Sequence, residues 1–133
     1  MSTMVFVNFP VTDLTRSINF YEALGFQQNR DFSNEHSAAL VWDDNFWIML
    51  LTHDFYQGFI RDKKIANPHT HSGSMVAFSL ASGAAVKKFA ATAKANGGDF
   101  YHLEMGIPEE QMVQLEVEDP DGNLMEPTWM AFS

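Results

Sequence analysis

The most constraining feature of this sequence is an order of structural elements that occurs twice. A strand pattern, a capped helix that stops at glycine and three short strand patterns occupy the first half, and the same order returns about 70 residues later. One such half alone would have a sheet with an uncovered face, whereas two halves can bury or enclose those faces. We therefore predict the α+β class, with two similar βαβββ halves that enclose a cavity for a small molecule.

The first half begins with a strand at residues 4–11, which are rich in β-forming side chains. Thr12 or Asp13 can cap a helix whose apolar stripe runs from Leu14 to Tyr21, and Gly25 provides the stop. The turn between the last two strands of this half has the sequence Asp-Asn at its centre, which is good turn chemistry. The strands predicted after the helix are residues 26–32, 37–42 and 46–52.

The second half repeats this order from a strand at residues 74–80. Ser82 can cap the helix, an apolar stripe at helical spacing runs from Val86 to Ala93, and Gly97 and Gly98 end it. The last two strands are joined by the tight-turn sequence Asp-Pro-Asp-Gly. The strands predicted after the helix are residues 99–103, 111–117 and 123–130.

The length of 133 residues suits one domain and is too short for two ordinary ones. We predict a single domain over residues 1–133, made of module one at residues 4–52, a connector at 53–73 and module two at 74–130. Within the connector we expect one helical turn near residues 54–59.

The composition excludes several classes of function. The chain has no cysteine, which excludes a disulfide framework, a thiolate metal site and a cysteine nucleophile. With 17 acidic and 8 basic residues the net charge is −9, so we predict no nucleic-acid partner and a preference for cationic or neutral small molecules. No signal peptide or membrane-spanning run is visible, so we expect a cytoplasmic protein without a membrane partner.

Three segments resemble one family. Residues 11–17 (VTDLTRS) leading to Phe20 and Tyr21, the Gly-Gly helix stop of the second half, and residues 118–126 (EDPDGNLME) are similar to the vicinal-oxygen-chelate superfamily. This superfamily contains glyoxalases, bleomycin resistance proteins and extradiol dioxygenases. The resemblance spans nearly the whole chain and implies two βαβββ modules that form a curled mixed sheet around a cleft. It also implies that a homodimer is common.

The resemblance also implies four positions for a divalent metal, and most of them carry the wrong side chains here. The first position is Phe6 and the third is Met75. The second is Met49 if the alignment to the family pattern has no gap, and Leu50 if it has one. Only the fourth, Glu126, has a suitable donor. Phenyl and thioether groups cannot replace imidazole and carboxylate for a hard or borderline dication. We therefore expect no metal at this site and no cofactor, with a divalent metal as the alternative.

Other donors leave that alternative open. Asn8 lies on the same strand face as the first position, because strand side chains alternate. His102 on the predicted sixth strand could point inward. The pair His69 and His71 in the connector could also bind a metal, although a polar loop is the simpler interpretation.

Strand alternation predicts which side chains line the cavity. On the last strand the opposite face carries Met125, Pro127 and Trp129, which we assign to helix packing. Because Pro127 lacks a backbone donor, this strand should be at an edge or unpaired there. The predicted ligand-binding residues, mostly apolar with a few polar groups, are Phe6, Asn8, Met49, Met75, Ala77, Ser79, Leu124, Glu126 and Thr128.

Glu126 is the candidate catalytic residue. It is either a solvated carboxylate near a strand end or a partly buried one that serves as a general base or as counter-charge to a cationic ligand. Three functions follow in order of preference. The first is a small-molecule-binding protein that sequesters a cationic or aromatic ligand without turnover. The second is a glyoxalase-like lyase or isomerase, or a dioxygenase-related enzyme, with a non-standard metal site. The third is a regulatory or interaction module whose cavity its own side chains close.

Overall fold

The computed structural model describes residues 2–131. The chain divides into two compact units, Met1–Ala66 and Asn67–Ser133, which we call unit 1 and unit 2. The division falls inside the predicted connector. Among the described residues, no helix has both the length and the apolar character that a membrane crossing requires.

Unit 1 contains a mixed four-stranded sheet in the order β1-β4-β3-β2. β1 runs parallel to β4, and the other neighbours are antiparallel. A 3-10 turn follows β2 at Arg30–Phe32, and the short helix α2 at His53–Gln57 confirms the predicted helical turn. The other elements are β1 (Val5–Val11), α1 (Leu14–Leu24), β2 (Gln27–Asn29), β3 (Ser37–Asp43) and β4 (Phe46–Thr52).

Helix α1 begins and ends at the predicted residues. The Asp13 side chain accepts a hydrogen bond from the Arg16 N–H at 3.0 Å, which satisfies one free donor of the first turn. Gly25 ends the helix with φ at 114°, a left-handed conformation that glycine adopts without strain. Phe20 and Tyr21 are buried, as expected of the apolar stripe that packs on a sheet.

The predicted strand at residues 26–32 is wrong in its second half. It stops at Asn29, whose side-chain oxygen accepts a hydrogen bond from the Asp31 N–H at 3.0 Å. This local bond begins the 3-10 turn and competes with the backbone ladder, as Asn side chains commonly do.

Unit 2 contains a mixed five-stranded sheet in the order β5-β9-β8-β6, with β7 also paired to β9. β5 runs parallel to β9, and the remaining pairs are antiparallel. The elements are β5 (Met75–Ser79), α3 (Gly83–Ala95), β6 (Asp99–Tyr101), β7 (Met112–Gln114), β8 (Glu116–Glu118) and β9 (Leu124–Met130). The predicted α+β class with two βαβββ modules is therefore confirmed.

Pro127 explains why one predicted strand, residues 111–117, appears as two. Gln114 pairs with Thr128 and Val117 pairs with Met125, so β7 and β8 share one register against β9. Between them Pro127 has no N–H to donate, and only the weak Leu115 N–H to Pro127 carbonyl contact remains, at 3.4 Å. The ladder is interrupted there as predicted. The predicted edge position of this strand is wrong, because β9 pairs with β5 on one side and with β7 and β8 on the other.

Helix α3 also follows the sequence pattern. Ser82 caps it by accepting a hydrogen bond from the Ala85 N–H at 3.0 Å. A Cβ on Gly83 would lie 2.8 Å from Val113 Cγ2, so the first turn requires glycine for its close approach to the sheet. The stripe from Val86 to Ala93 is buried, as predicted. β6 ends at Tyr101, two residues earlier than predicted.

The turn before β9 has the expected chemistry. Asp119 Oδ1 accepts hydrogen bonds from the Asp121 and Asn123 N–H groups, both at 2.9 Å. Gly122 has φ at 92°, and a Cβ there would lie 2.9 Å from the Pro68 carbonyl carbon. The turn is therefore restricted to glycine both by its backbone conformation and by space.

Candidate functional site

In unit 1 the predicted ligand-binding side chains share one face of the sheet. Asn8 pairs with Met49 across β1 and β4, and Phe6 lies two residues before Asn8 on the same face. Leu50 is fully buried on the opposite face, which α1 covers. The structure therefore selects Met49 over Leu50 as the residue on the face of Phe6. We call the sheet face that the helix does not cover the open face.

In unit 2 the register places the other predicted residues on the open face. Met75 pairs with Leu124, Ala77 pairs with Glu126, and Ser79 pairs with Thr128. On the opposite face of β9, Met125 and Pro127 are fully buried, which agrees with their predicted place against the helix. The role of the open-face residues in binding stays a prediction.

The polar centre of this open face is a group of four side chains, Gln114, Glu116, Glu126 and Thr128, which we call the acidic cluster. The Gln114 Nε2 amide donates to Glu116 Oε1 at 3.0 Å and to Glu126 Oε2 at 3.2 Å. Its Oε1 accepts from the Thr128 hydroxyl at 3.2 Å, which orients the amide. One side-chain amide thus joins two carboxylates across β7, β8 and β9.

Glu116 is the more deeply buried of the two carboxyl groups in the cluster. Only 3% of this residue is exposed. Burial raises the pKa of its carboxyl above the usual 4.5, the Gln114 hydrogen bond opposes the rise, and the neighbouring Glu126 carboxyl reinforces it. Two acidic groups with little water between them favour one shared proton or one added cation.

Tyr101 adjoins the same cluster from β6. It pairs with Glu116 across the sheet. Partial burial raises the pKa of its phenol first, and the negative charges of Glu116, Glu118 and Glu126 raise it further. An aromatic ring is therefore held beside converging carboxylates.

The sequence-based prediction identified Glu126 and Thr128 but missed Gln114 and Glu116. The signal was present, because residues 113–118 (VQLEVE) alternate apolar and polar side chains. Pairing that strand with the last one places its polar face against Glu126. The carboxyl is identified as buried only from the register between that strand and β9, which a local pattern does not contain.

The alternative metal donors lie elsewhere. His102 follows the end of β6 and lines a cavity with Lys87 of α3. His71 is exposed, and its Nδ1 lies 2.8 Å from the Thr70 hydroxyl. Within residues 2–131 no three His, Asp or Glu side chains are grouped so that they could hold a metal ion.

The side chains at the four positions that metal-dependent relatives would use do not match a divalent ion. Phe6 offers no donor, and Met49 and Met75 offer thioethers, which prefer soft ions such as copper(I). Glu126 already accepts the Gln114 amide, and its carboxylate neighbour is Glu116. This chemistry does not provide a hard-ion coordination sphere.

The amino-acid sequence of this chain is similar in part to one known protein family. The family model described as "Bleomycin resistance protein-like N-terminal" matches residues 3–41. No curated protein sequence matches the chain.

Solved structures match nearly the whole chain. A glyoxalase/bleomycin resistance protein/dioxygenase family enzyme from Burkholderia phytofirmans PsJN has a TM-score of 0.77 at 17% identity, covering 97% of this chain and 99% of that one. A bleomycin-binding protein complexed with bleomycin has a TM-score of 0.64 at 20% identity, covering 96% and 98%. The fosfomycin resistance protein FosX from Listeria monocytogenes, complexed with manganese(II) and sulfate, has a TM-score of 0.70 at 14% identity, covering 99% and 93%.

The resemblance predicted from the sequence is therefore confirmed. The structures establish the fold, and the family model extends the likeness to the sequence of β1, α1, β2 and most of β3.

Proposed function

Because this chain has the fold of the glyoxalase, bleomycin resistance and dioxygenase superfamily, we propose that it is a small-molecule-binding protein that sequesters a cationic aromatic ligand without converting it. The ligand binds on the open face of unit 2, beside the acidic cluster. No divalent metal takes part. The observation that carries this proposal is the buried Glu116 carboxyl joined through Gln114 to Glu126.

Electrostatics favours a cation at this position. A buried carboxyl beside a second carboxyl is costly to ionise, because burial and like charge both oppose its negative form. A ligand cation next to Glu116 and Glu126 would compensate both charges. In a partly desolvated site that compensation is worth more than it is in water.

Apolar and aromatic groups surround these charges. Leu124 and Met75 flank Glu126 along β9 and β5, and the Tyr101 ring stands on the other side of Glu116. An aromatic face near a cation adds about 0.5–2 kcal/mol of attraction. Met75 is 63% exposed, which disfavours the alternative of a cavity closed by the protein's own side chains.

The absence of a metal is proposed from donor chemistry. Three of the four family positions carry phenyl or thioether groups, which leave one carboxylate to hold a hard dication. We expect elemental analysis of the purified protein to give far less than one equivalent of zinc, nickel, iron or manganese. Stoichiometric, tightly held metal would contradict this part of the proposal.

The binding test uses 1-methylquinolinium, a flat aromatic cation, and bleomycin, the ligand of the structural neighbour. We expect both to bind in isothermal titration calorimetry at about pH 7.5, and binding of neither at millimolar concentration would overturn the proposal. Glu116→Gln and Glu126→Gln should each weaken binding of the quinolinium roughly tenfold, since each removes a charge whose attraction to the ring cation in a partly desolvated site exceeds about 1.4 kcal/mol. The matched control is Glu110→Gln, the same change at an exposed position.

The pH dependence of ligand affinity provides a second test of the proposal. Because the pKa of Glu116 is raised in the free protein, a bound cation competes with its proton at every pH at which the carboxyl is still protonated. The affinity for 1-methylquinolinium should therefore rise with pH from about pH 4.5, and the heat of binding should depend on the ionisation enthalpy of the buffer. Proton release should disappear in Glu116→Gln. Release that persists in that variant would assign the titration to another group.

One observation also favours the enzyme alternative, a glyoxalase-like lyase or isomerase. A carboxyl with a raised pKa can donate a proton, and Glu126 beside it can accept one, which is the arrangement of an acid–base pair. The ligand's NMR spectrum after prolonged incubation distinguishes the two functions. An unchanged spectrum supports sequestration, and conversion that is lost in Glu126→Gln supports catalysis.

We also propose that the protein forms a homodimer. Its support is the number of large apolar side chains at the surface outside the ligand-binding residues, among them Val5, Phe32 and Phe59, which association could bury. Sedimentation equilibrium at micromolar concentration should give twice the mass of one chain. A single species with the mass of one chain would contradict the proposal.

A further inference from the structure

A cavity of about 400 Å³ lies wholly within unit 2, at the outer edge of β7. We call it the β7-edge pocket. Its size is within the range of small-molecule sites in proteins, about 300–1,000 Å³. The lining side chains are Lys87, Phe100, His102, Leu103, Met105, Ile107, Glu109, Met112, Val113, Gln114 and Leu115.

The pocket exists because β6 is short. Its ladder with β8 ends at the pair of Tyr101 and Glu116, and residues 102–111 then leave the sheet. β7 consequently has a strand neighbour, β9, on one side only. The space that a longer β6 would fill lies between β7 and the departing segment.

That segment is held in place by its own hydrogen bonds. Glu104 Oε1 accepts from the Gly106 N–H at 2.9 Å, and Gly106 takes a φ of 74°. At the far end the Pro108 carbonyl accepts from the Gln111 and Met112 N–H groups at 2.9 and 3.2 Å. These bonds give the two ends of the segment a defined local turn conformation.

The lining divides into an apolar interior and a charged rim. Leu103, Met105 and Ile107 present large side chains that remain about half exposed, at 52%, 51% and 44%. At the rim the Lys87 ammonium donates to Glu109 Oε1 at 2.8 Å. An ammonium group has three donors, so this pair leaves Lys87 with further donor capacity toward the pocket.

We propose that the β7-edge pocket binds a second kind of ligand, a small aromatic carboxylate or sulfonate. The ring system lies against Leu103, Met105 and Ile107, and the anionic group is bound by Lys87 in competition with Glu109. Gln114 belongs both to this lining and to the acidic cluster, but anion binding at Lys87 does not require that the cluster bind a cation.

Electrostatics around the rim agrees with this geometry. The Lys87 hydrogen bond and charge hold the pKa of Glu109 below its usual range, with a smaller contribution from His102. The Lys87 ammonium therefore directs positive potential toward the position of Glu109, where the ligand's anionic group would lie.

The probe is 1-naphthoate, titrated by calorimetry and by the NMR shifts of the pocket methyl groups of Leu103, Met105 and Ile107. Lys87→Met should weaken binding about tenfold, the loss expected for one charge-assisted hydrogen bond. The matched control Lys88→Met, one residue along α3 and outside the lining, should leave the affinity within about twofold. Glu109→Gln should tighten binding several-fold, since it removes the competing carboxylate.

These variants change exposed side chains, so their folding can be verified by circular dichroism. An uncharged analogue, 1-naphthalenemethanol, should bind several-fold more weakly than 1-naphthoate. Equal effects of Lys87→Met and Lys88→Met, no shift of the pocket methyl groups, or no binding of 1-naphthoate would each overturn the proposal. Failure of both 1-methylquinolinium and bleomycin to bind, in contrast, would remove only the function proposed for the acidic cluster.

Discussion

Replacing Glu116 with glutamine should stabilise the protein at neutral pH. The residue lies opposite Glu126 in the continuous register of β8 and β9, and it is almost fully buried. Like charges directly opposite each other on neighbouring strands cost up to about 1 kcal/mol. Glutamine removes the charge, while its side-chain oxygen can still accept the Gln114 amide. We therefore expect a gain of up to about 1 kcal/mol, or about 3–6 °C in the melting temperature.

The pH dependence of this gain in stability shows whether charge repulsion causes it. The raised pKa means that Glu116 binds its proton more tightly in the folded protein than in the unfolded chain. Its contribution to stability is fully present below its usual pKa of 4.5 and is lost as the pH rises through the folded-state value. The advantage of Glu116→Gln should therefore be absent at about pH 4 and grow toward pH 7.

Urea unfolding at 25 °C, followed by tryptophan fluorescence and circular dichroism at a series of pH values, measures this difference. The m-value should stay constant, so that a change in midpoint reports stability alone. Glu110→Gln is the control, since it makes the same substitution at an exposed position. If Glu116→Gln is equally stabilising at pH 4, or if it is destabilising at pH 7, repulsion between Glu116 and Glu126 is not the cause.

Three further substitutions test other features. Gln114→Leu should lower stability by about 1–3 kcal/mol in urea unfolding, because both carboxylates lose a shared donor. Gly122→Ala should cost about 1–3 kcal/mol from its left-handed backbone and its 2.9 Å approach to Pro68, whereas Gly73→Ala, with open space around it, should change the melting temperature little. Ser82→Ala should cost about 1 kcal/mol through the lost helix cap, and an unchanged melting temperature would show that this bond is unimportant.

The sequence predicts much of the fold because its signals are local. Asp13 and Ser82 cap the helices, Gly25 ends the first, and strand alternation places Met49 and Glu126 on the open faces. Each of these depends on a few neighbouring residues, where capping and backbone conformation decide the outcome.

The acidic cluster depends on pairing across the chain, which a local pattern does not show. Gln114 and Glu116 meet Glu126 only through the antiparallel register of β7 and β8 with β9. The early end of β6 at Tyr101, and hence the position of His102, likewise follows from where the sheet stops pairing. Competition between ladder bonds and local side-chain bonds also shortened the strand that ends at Asn29.

The strand order has a consequence for how the chain acquires its structure during synthesis. In unit 1, β1 and β3 both pair with β4, and in unit 2, β5, β7 and β8 all pair with β9. The shared partner in each unit is the strand that the ribosome makes last. Neither sheet can therefore grow stepwise from its first strand: the pairs β2–β3 and β6–β8 can form earlier, but each sheet is completed only when its last strand emerges.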